Sequence, residues 1–247
     1  MSGIRFICPF LGLSLVFSIS AMAGKDDSLP TWKLPPDEWF IQRVPPPPAV
    51  DSEAGKEDLA GVLKMQAEAT PEQIARARWT YNLSVLTFGE AFDDRDFNPE
   101  KYPQTARFFL GLNDLIKKEN DMLKAHFKRP HPFSVDPVHV KRIIVAPAEY
   151  SYPGFHTARC VVFVHILSTL DPAGKDAFER VARQVEVDRI MAGEHFPGDI
   201  VAGKIVGELI YGELIKDKDF VAEVQHLKET EWLALPPIPR DLKILIP

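Results

Sequence analysis

In the stretch Asp188-Arg189-Ile190-Met191-Ala192-Gly193-Glu194-His195-Phe196-Pro197-Gly198-Asp199 a cation, an imidazole and a carboxylate follow one another closely. The segment reads as one helix ending and another beginning, with Gly193 as a C-cap and Pro197 in a first helical turn. His195 then stands near a helix N-terminus, where an anion is favoured. Asp199, four residues on, is spaced to hydrogen-bond the ring and fix its tautomer. A buried carboxylate that orients an imidazole turns histidine into a nucleophile or a base. His156 is a second imidazole, at the start of an apolar run.

The elements that must hold these groups read as helices, and strand-type alternation is scarce. A helix is expected from Glu57 to about Glu68. Thr70-Pro71-Glu72-Gln73 is a capping box with proline in the first turn, and it opens a helix expected to reach about Phe88, with Trp79, Leu83 and Leu86 facing inward. A longer helix is expected from about Gln104 to Phe127, its stripe formed by Phe108, Leu112, Leu115, Ile116, Glu119 and Leu123, with Lys124 near its end. Prolines 130, 132, 137 and 147 then enforce a long connection, and loops of that size are often functional. Thr157 to about Thr169 is apolar almost all round, which predicts a central helix. Asp171-Pro172 caps the next one, whose inner face runs Phe178, Val181, Ala182, Val185 and, by the same spacing, Arg189. An arginine on the core side of a helix is costly unless an anion meets it. Helices at about 200–215 and 220–233 follow, and Gly203 and Gly207 allow the first of these close approach to a neighbour. The expected fold is all-α, a compact helical bundle.

The chain of 247 residues carries a net charge of -6 without a basic face, which argues against nucleic acid as a stable partner. Arg5, an apolar run to about Ile19 and Ala21-Met22-Ala23 form the pattern of a signal peptide. Cleavage near Ala23 and a secreted or periplasmic location are expected. Residues 24–56 form a Pro-rich extended arm, in which Pro45–Pro48 and their neighbours exclude helix; Trp32, Trp39 and Phe40 predict that it packs along the domain. The helical domain spans 57–235, and 236–247 is a tail. After cleavage Cys160 is the sole cysteine, so no internal disulfide forms, and no later stretch is apolar and long enough to span a bilayer.

Three segments stand out together: Lys124-x6-His131-Pro132-Phe133, Ser151-Tyr152-Pro153-Gly154-Phe155-His156-Thr157, and Arg189-x5-His195-x3-Asp199. They resemble the tripartite signature of the class A non-specific acid phosphatases, within the superfamily of type 2 phosphatidic acid phosphatases and vanadium haloperoxidases. The resemblance spans about Asp58 to Ile215 and is most specific in the third segment. It implies that His195 attacks phosphorus to give a phosphohistidine, that Asp199 orients His195, and that His156 protonates the leaving alcohol. Lys124 and Arg189 would hold the phosphate oxygens, with His131, Gly154 and Phe155 completing the cradle. No metal or other cofactor is implied, vanadate serving as a phosphate mimic, and the expected partner is a small phosphorylated substrate.

The departures concern the cradle. His131 stands where the family has an arginine, Gly154 and Phe155 replace the serine and glycine of Pro-Ser-Gly-His, and Asp188 replaces a serine. An imidazole cannot make the bidentate contact of a guanidinium, although it is cationic at acid pH. Pairing Arg129-Pro130 with the family's Arg-Pro instead would put Met122 at the lysine position, so the alignment on Lys124 is preferred. Two other readings stay open: a catalytically weak anion-binding relative, and a vanadate-dependent haloperoxidase. A homo-oligomer is also left open.

Overall fold

A central helix, α7 (Phe155–Leu170), passes through the middle of the bundle in the computed structural model, which describes residues 29–89, 98–144 and 150–233. Its burial follows from the absence of a polar face: Ala158, Cys160, Val162, Phe163 and Leu167 are all buried. The helix packs most extensively on α9 (Pro197–Leu214) and α8 (Lys175–Met191). Two glycines set the spacing to α9. A Cβ on Gly203 would lie 2.5 Å from the Gly154 carbonyl, and one on Gly207 would lie 2.6 Å from Val161 Cβ. Only hydrogen at these positions lets the two helices meet, and their N-terminal ends are thereby brought side by side.

The remaining elements wrap this pair. In order they are α1 (Asp37–Ile41), α2 (Glu53–Ala67), α3 (Pro71–Trp79), α4 (Val85–Gly89), α5 (Pro103–Phe127) and α6 (Pro132–Val135) before α7, and α10 (Lys218–Leu227) after α9, closed by a π-helical turn at Lys228–Trp232. Among the described residues there is no strand, so the all-α expectation holds. No described helix is long and apolar enough to cross a membrane. The leader at 1–23, the start of the arm and the tail at 236–247 lie outside the described residues.

Three local expectations differ from the structure. The arm does contain a helical turn, α1: residues 37–43 are free of proline, and Pro36 occupies the N-cap, where its missing N–H costs nothing. The arm packs on the bundle through Trp32, which meets Phe108 and Phe220 edge-on at 5.1 and 5.3 Å, and through fully buried Phe40. Helix α2 starts at Glu53, ahead of the expected Glu57, because the Ser52 side chain accepts from the Gly55 N–H at 3.1 Å and caps it there.

The helix opened by the Thr70 capping box is the third. It stops at Trp79 and is replaced by a 3₁₀ turn at Thr80–Asn82. The reason lies elsewhere in the chain. The Ala77 carbonyl, which would accept from residue 81 in a continuing helix, receives the Arg189 Nη2 donor instead. Thr80 Oγ1 bonds Asp188 Oδ2 at 2.9 Å. Trp79 is consequently 43% exposed and not inward-facing, while Leu83 is buried.

Candidate active site

The junction of α8 and α9 places the central residues. Gly193 adopts φ 75°, and the Gly193 and Glu194 N–H groups donate to the carbonyls of Ile190 (2.9 Å) and Arg189 (3.2 Å). This is the Schellman arrangement, which needs a residue tolerant of positive φ at that point. It folds Glu194 and His195 back over the end of α8, so His195 enters the site immediately ahead of α9.

Asp199, in the first turn of α9, is fully buried and has three partners. Its Oδ2 accepts the Phe196 N–H at 2.9 Å and faces His195 Nδ1 at 3.3 Å. Its Oδ1 accepts Arg129 Nη1 at 2.6 Å. Because a carboxylate must accept, the His195 proton lies on Nδ1, and Nε2 is left with its lone pair. Burial works to raise the Asp199 pKa, yet His195, Arg129 and the Phe196 N–H hold it below the usual carboxylate range. Burial lowers the His195 pKa, partly offset by Asp199. The ring is therefore held uncharged near neutral pH.

Arg129 completes the wall behind His195. Its Nη2 donates to Asp58 Oδ2 of α2 at 2.7 Å, and its guanidinium lies 4.0 Å from the Phe196 ring centroid. Asp58 Oδ1 in turn accepts the Gly198 N–H at 2.9 Å. A chain of hydrogen bonds, Asp58 to Arg129 to Asp199 to His195, thus joins α2 to α9.

In front of His195 opens a cavity of about 740 Å³. Lys124, His131, Phe155, His156, Arg189 and His195 all line it, although they come from separate segments. Arg189 is fully buried and bonds only neutral oxygens, the Ala77 carbonyl and Thr80 Oγ1 (2.9 Å); its Nε and Nη1 have no partner among the described residues. Lys124 Nζ donates to the Tyr150 carbonyl at 2.7 Å, and burial brings its pKa down to about 8. His131 Nδ1 donates to the Glu194 carbonyl at 2.6 Å, and its ring stacks on Phe133.

His156, in the first turn of α7, donates Nε2–H to the Tyr81 carbonyl at 2.9 Å. Burial, together with Arg189 and Arg159, pushes its pKa well below the ordinary histidine value. A dianion at this point would oppose the last two causes and favour proton uptake by His156. The first-turn N–H groups of α7 receive no side-chain cap, which suits the same anion.

Two positions lie off the cavity. Gly154 donates its N–H to the Asp199 carbonyl at 3.0 Å and is the contact point between α7 and α9. Asp188, one of the departures from the family pattern, faces α3. It accepts Arg76 Nε (3.0 Å) and Nη2 (2.9 Å), Thr80 Oγ1 and Gln184 Nε2. It does not line the cavity; it holds the Thr80 that bonds Arg189.

The comparisons bear on this geometry. A non-specific acid phosphatase of Providencia stuartii is 23% identical over 193 residues, covering 75% of this chain and 78% of that protein. A non-specific acid phosphatase of Salmonella typhi is 24% identical over 185 residues, covering 69% of this chain and 71% of its own length. The chain is similar to bacterial acid phosphatases. No family model matches it. At this identity the likeness suggests the acid phosphatase superfamily at most.

Several cavity residues escaped the sequence reading. Arg159 stands one turn beyond His156 in a helix that is otherwise apolar, the same signal that singled out Arg189. Tyr81 and Asn82 line the cavity from the 3₁₀ turn, where a continuous helix was expected. Glu194 is buried with Oε1 unpartnered, and burial raises its pKa to about 7 against the pull of Arg189, Arg142 and Lys124. No sequence signal marks a glutamate whose distinction is its surroundings.

Proposed function

We propose that this chain is an exported hydrolase of phosphate monoesters that works through a phosphohistidine at His195. One observation carries the reading: Arg189 and Lys124 are buried at one cavity with neutral oxygens as their direct partners, beside an imidazole that burial keeps neutral and Asp199 orients. A buried cation without a contacting counterion costs several kcal/mol, which a bound anion recovers. The likeness to acid phosphatases supports a phosphatase-like activity, and the leader pattern at 1–23 supports export.

The residues then divide the reaction as follows. His195 Nε2 attacks phosphorus as the ester P–O bond breaks, and His156 Nδ1 gives the departing oxygen its proton. Lys124, Arg189 and, in its protonated form, His131 hold the non-bridging oxygens, where charge collects in the transition state. Water next attacks the P–N bond; His156 takes the proton from it, and His195 is restored with inorganic phosphate released. Asp199 keeps Nδ1 protonated throughout. Phe155, at the start of α7, offers its backbone end; Gly154, its N–H engaged, acts by helix spacing.

A second reading, a catalytically silent anion-binding protein, draws on that same Gly154, which offers the anion neither hydroxyl nor N–H. Rapid quench with radiolabelled phenyl phosphate separates them. The expected result is acid-labile, base-stable label on the wild-type chain and none on His195→Ala. Label or turnover persisting in His195→Ala removes the nucleophile; phosphate binding with neither label nor turnover selects the silent reading.

A further inference from the structure

Arg159 is not used by that reaction. It follows His156 by three residues in α7, so the two side chains share a helix face with Cβ atoms about 5–6 Å apart. It is 7% exposed and lines the same cavity. Its Nη1 donates to Asn113 Oδ1 of α5 at 2.7 Å, and its guanidinium lies 4.7 Å from the Phe155 ring centroid. Its Nε has no partner, and no carboxylate pairs with it among the described residues. At the cavity mouth Lys117 and Asp121 pair with each other and largely cancel. Glu194, the buried carboxyl of the cavity, belongs to the α8–α9 junction.

Asn113 and the Phe155 ring hold the guanidinium in place, and neither neutralises it. Its position fixes what it can meet. His156 faces the leaving oxygen in the reaction proposed above, and Arg159 is its neighbour on the same face. We infer that Arg159 forms a second anion site on the leaving-group side, so that the cavity favours phosphate esters whose alcohol carries a further anionic group, a carboxylate or a second phosphate. The inference rests on the phosphate site proposed above, and the cavity has room for both groups. A charge-assisted hydrogen bond of this kind is worth roughly tenfold or more in affinity.

Calorimetry on the whole chain at fixed pH tests it with non-hydrolysable ligands: methylphosphonate, phosphonoacetate and methylenediphosphonate. In the wild type the two doubly anionic ligands are expected to bind about tenfold tighter than methylphosphonate, and their ranking tells which second group is preferred. Arg159→Gln is expected to bring the ratio close to one with little change for methylphosphonate. Asn113→Asp, which keeps Arg159 but gives it a carboxylate, is expected to do the same and serves if Arg159→Gln does not fold. Methylphosphonate binding without preference in the wild type, or a preference unchanged in the variants, overturns the second site alone. Absence of binding by all three ligands overturns the phosphate site as well.

Discussion

Arg189 lines the cavity that His195 faces and Arg129 lies off it, and both are buried. Behind the ring, Arg129 meets two carboxylates, Asp58 and Asp199. In front, Arg189 meets a carbonyl and a hydroxyl and keeps two donors unpaired. Burial alone is therefore a poor sign of function; the contacting counterion is the discriminating feature. The wall behind is electrically complete and orients the imidazole. In the cavity in front, Arg189 and Lys124 bond only neutral oxygens, and Arg159 repeats that condition.

The largest effect is expected from Asp199→Asn, which links the two sides. An amide can present its NH2 to Nδ1 and select the wrong tautomer, so kcat for p-nitrophenyl phosphate should fall on the order of 10³–10⁴-fold with KM little changed. A variant retaining most of its kcat would show that the wall does not orient the ring. Next, Arg129→Met leaves Asp58 and Asp199 without their shared cation, and denaturant unfolding should register a loss of about 3–5 kcal/mol. Arg189→Met should behave in the opposite way. Activity should drop about 10²–10³-fold, as for a transition-state donor. Stability should change far less, since the bonds lost are to neutral oxygens and a buried charge is relieved. Equal destabilisation by both variants would erase the distinction drawn here.

A smaller, pH-dependent effect follows from the cavity alone. Lys124 carries charge below about 8 and loses it above. Glu194 is neutral below about 7 and anionic above. Both changes weaken anion binding as pH rises. Sulfate keeps its charge between pH 5 and 9, so its affinity, measured calorimetrically, should fall in two steps. Glu194→Gln should remove the step near 7 and leave the one near 8; loss of both, or of neither, would show that Glu194 does not face the anion.

Much of the fold was legible because it rests on local rules. The Thr70 capping box, the Gly193 turn and Pro197 are backbone requirements written in single residues, and the all-round apolarity of 157–169 can be satisfied only at the centre of a bundle. The close packing at Gly203 and Gly207 was equally readable. Two of the failures share a long-range cause. The end of α3 at Trp79 is set by Arg189, which captures the Ala77 carbonyl from more than a hundred positions away. Asp188 reads as an altered cradle residue until Arg76 is seen to claim it. Ser52 caps α2, but a polar residue in a proline-rich arm gives little warning of a helix start.

The sequence by itself determined where helices begin and turn, and which imidazoles, cations and carboxylate recur at spacings suited to phosphate chemistry. Periodicity, caps and glycines act over a few residues, and a linear reading captures them. Tertiary structure alone decided which charges are neutralised. It gave Arg129 to Asp58 and Asp199, Asp188 to Arg76, and left Arg189, Lys124 and Arg159 facing one cavity with neutral partners. Electrostatic compensation depends on distance through space, and distance in space between residues remote in the chain is what the fold supplies.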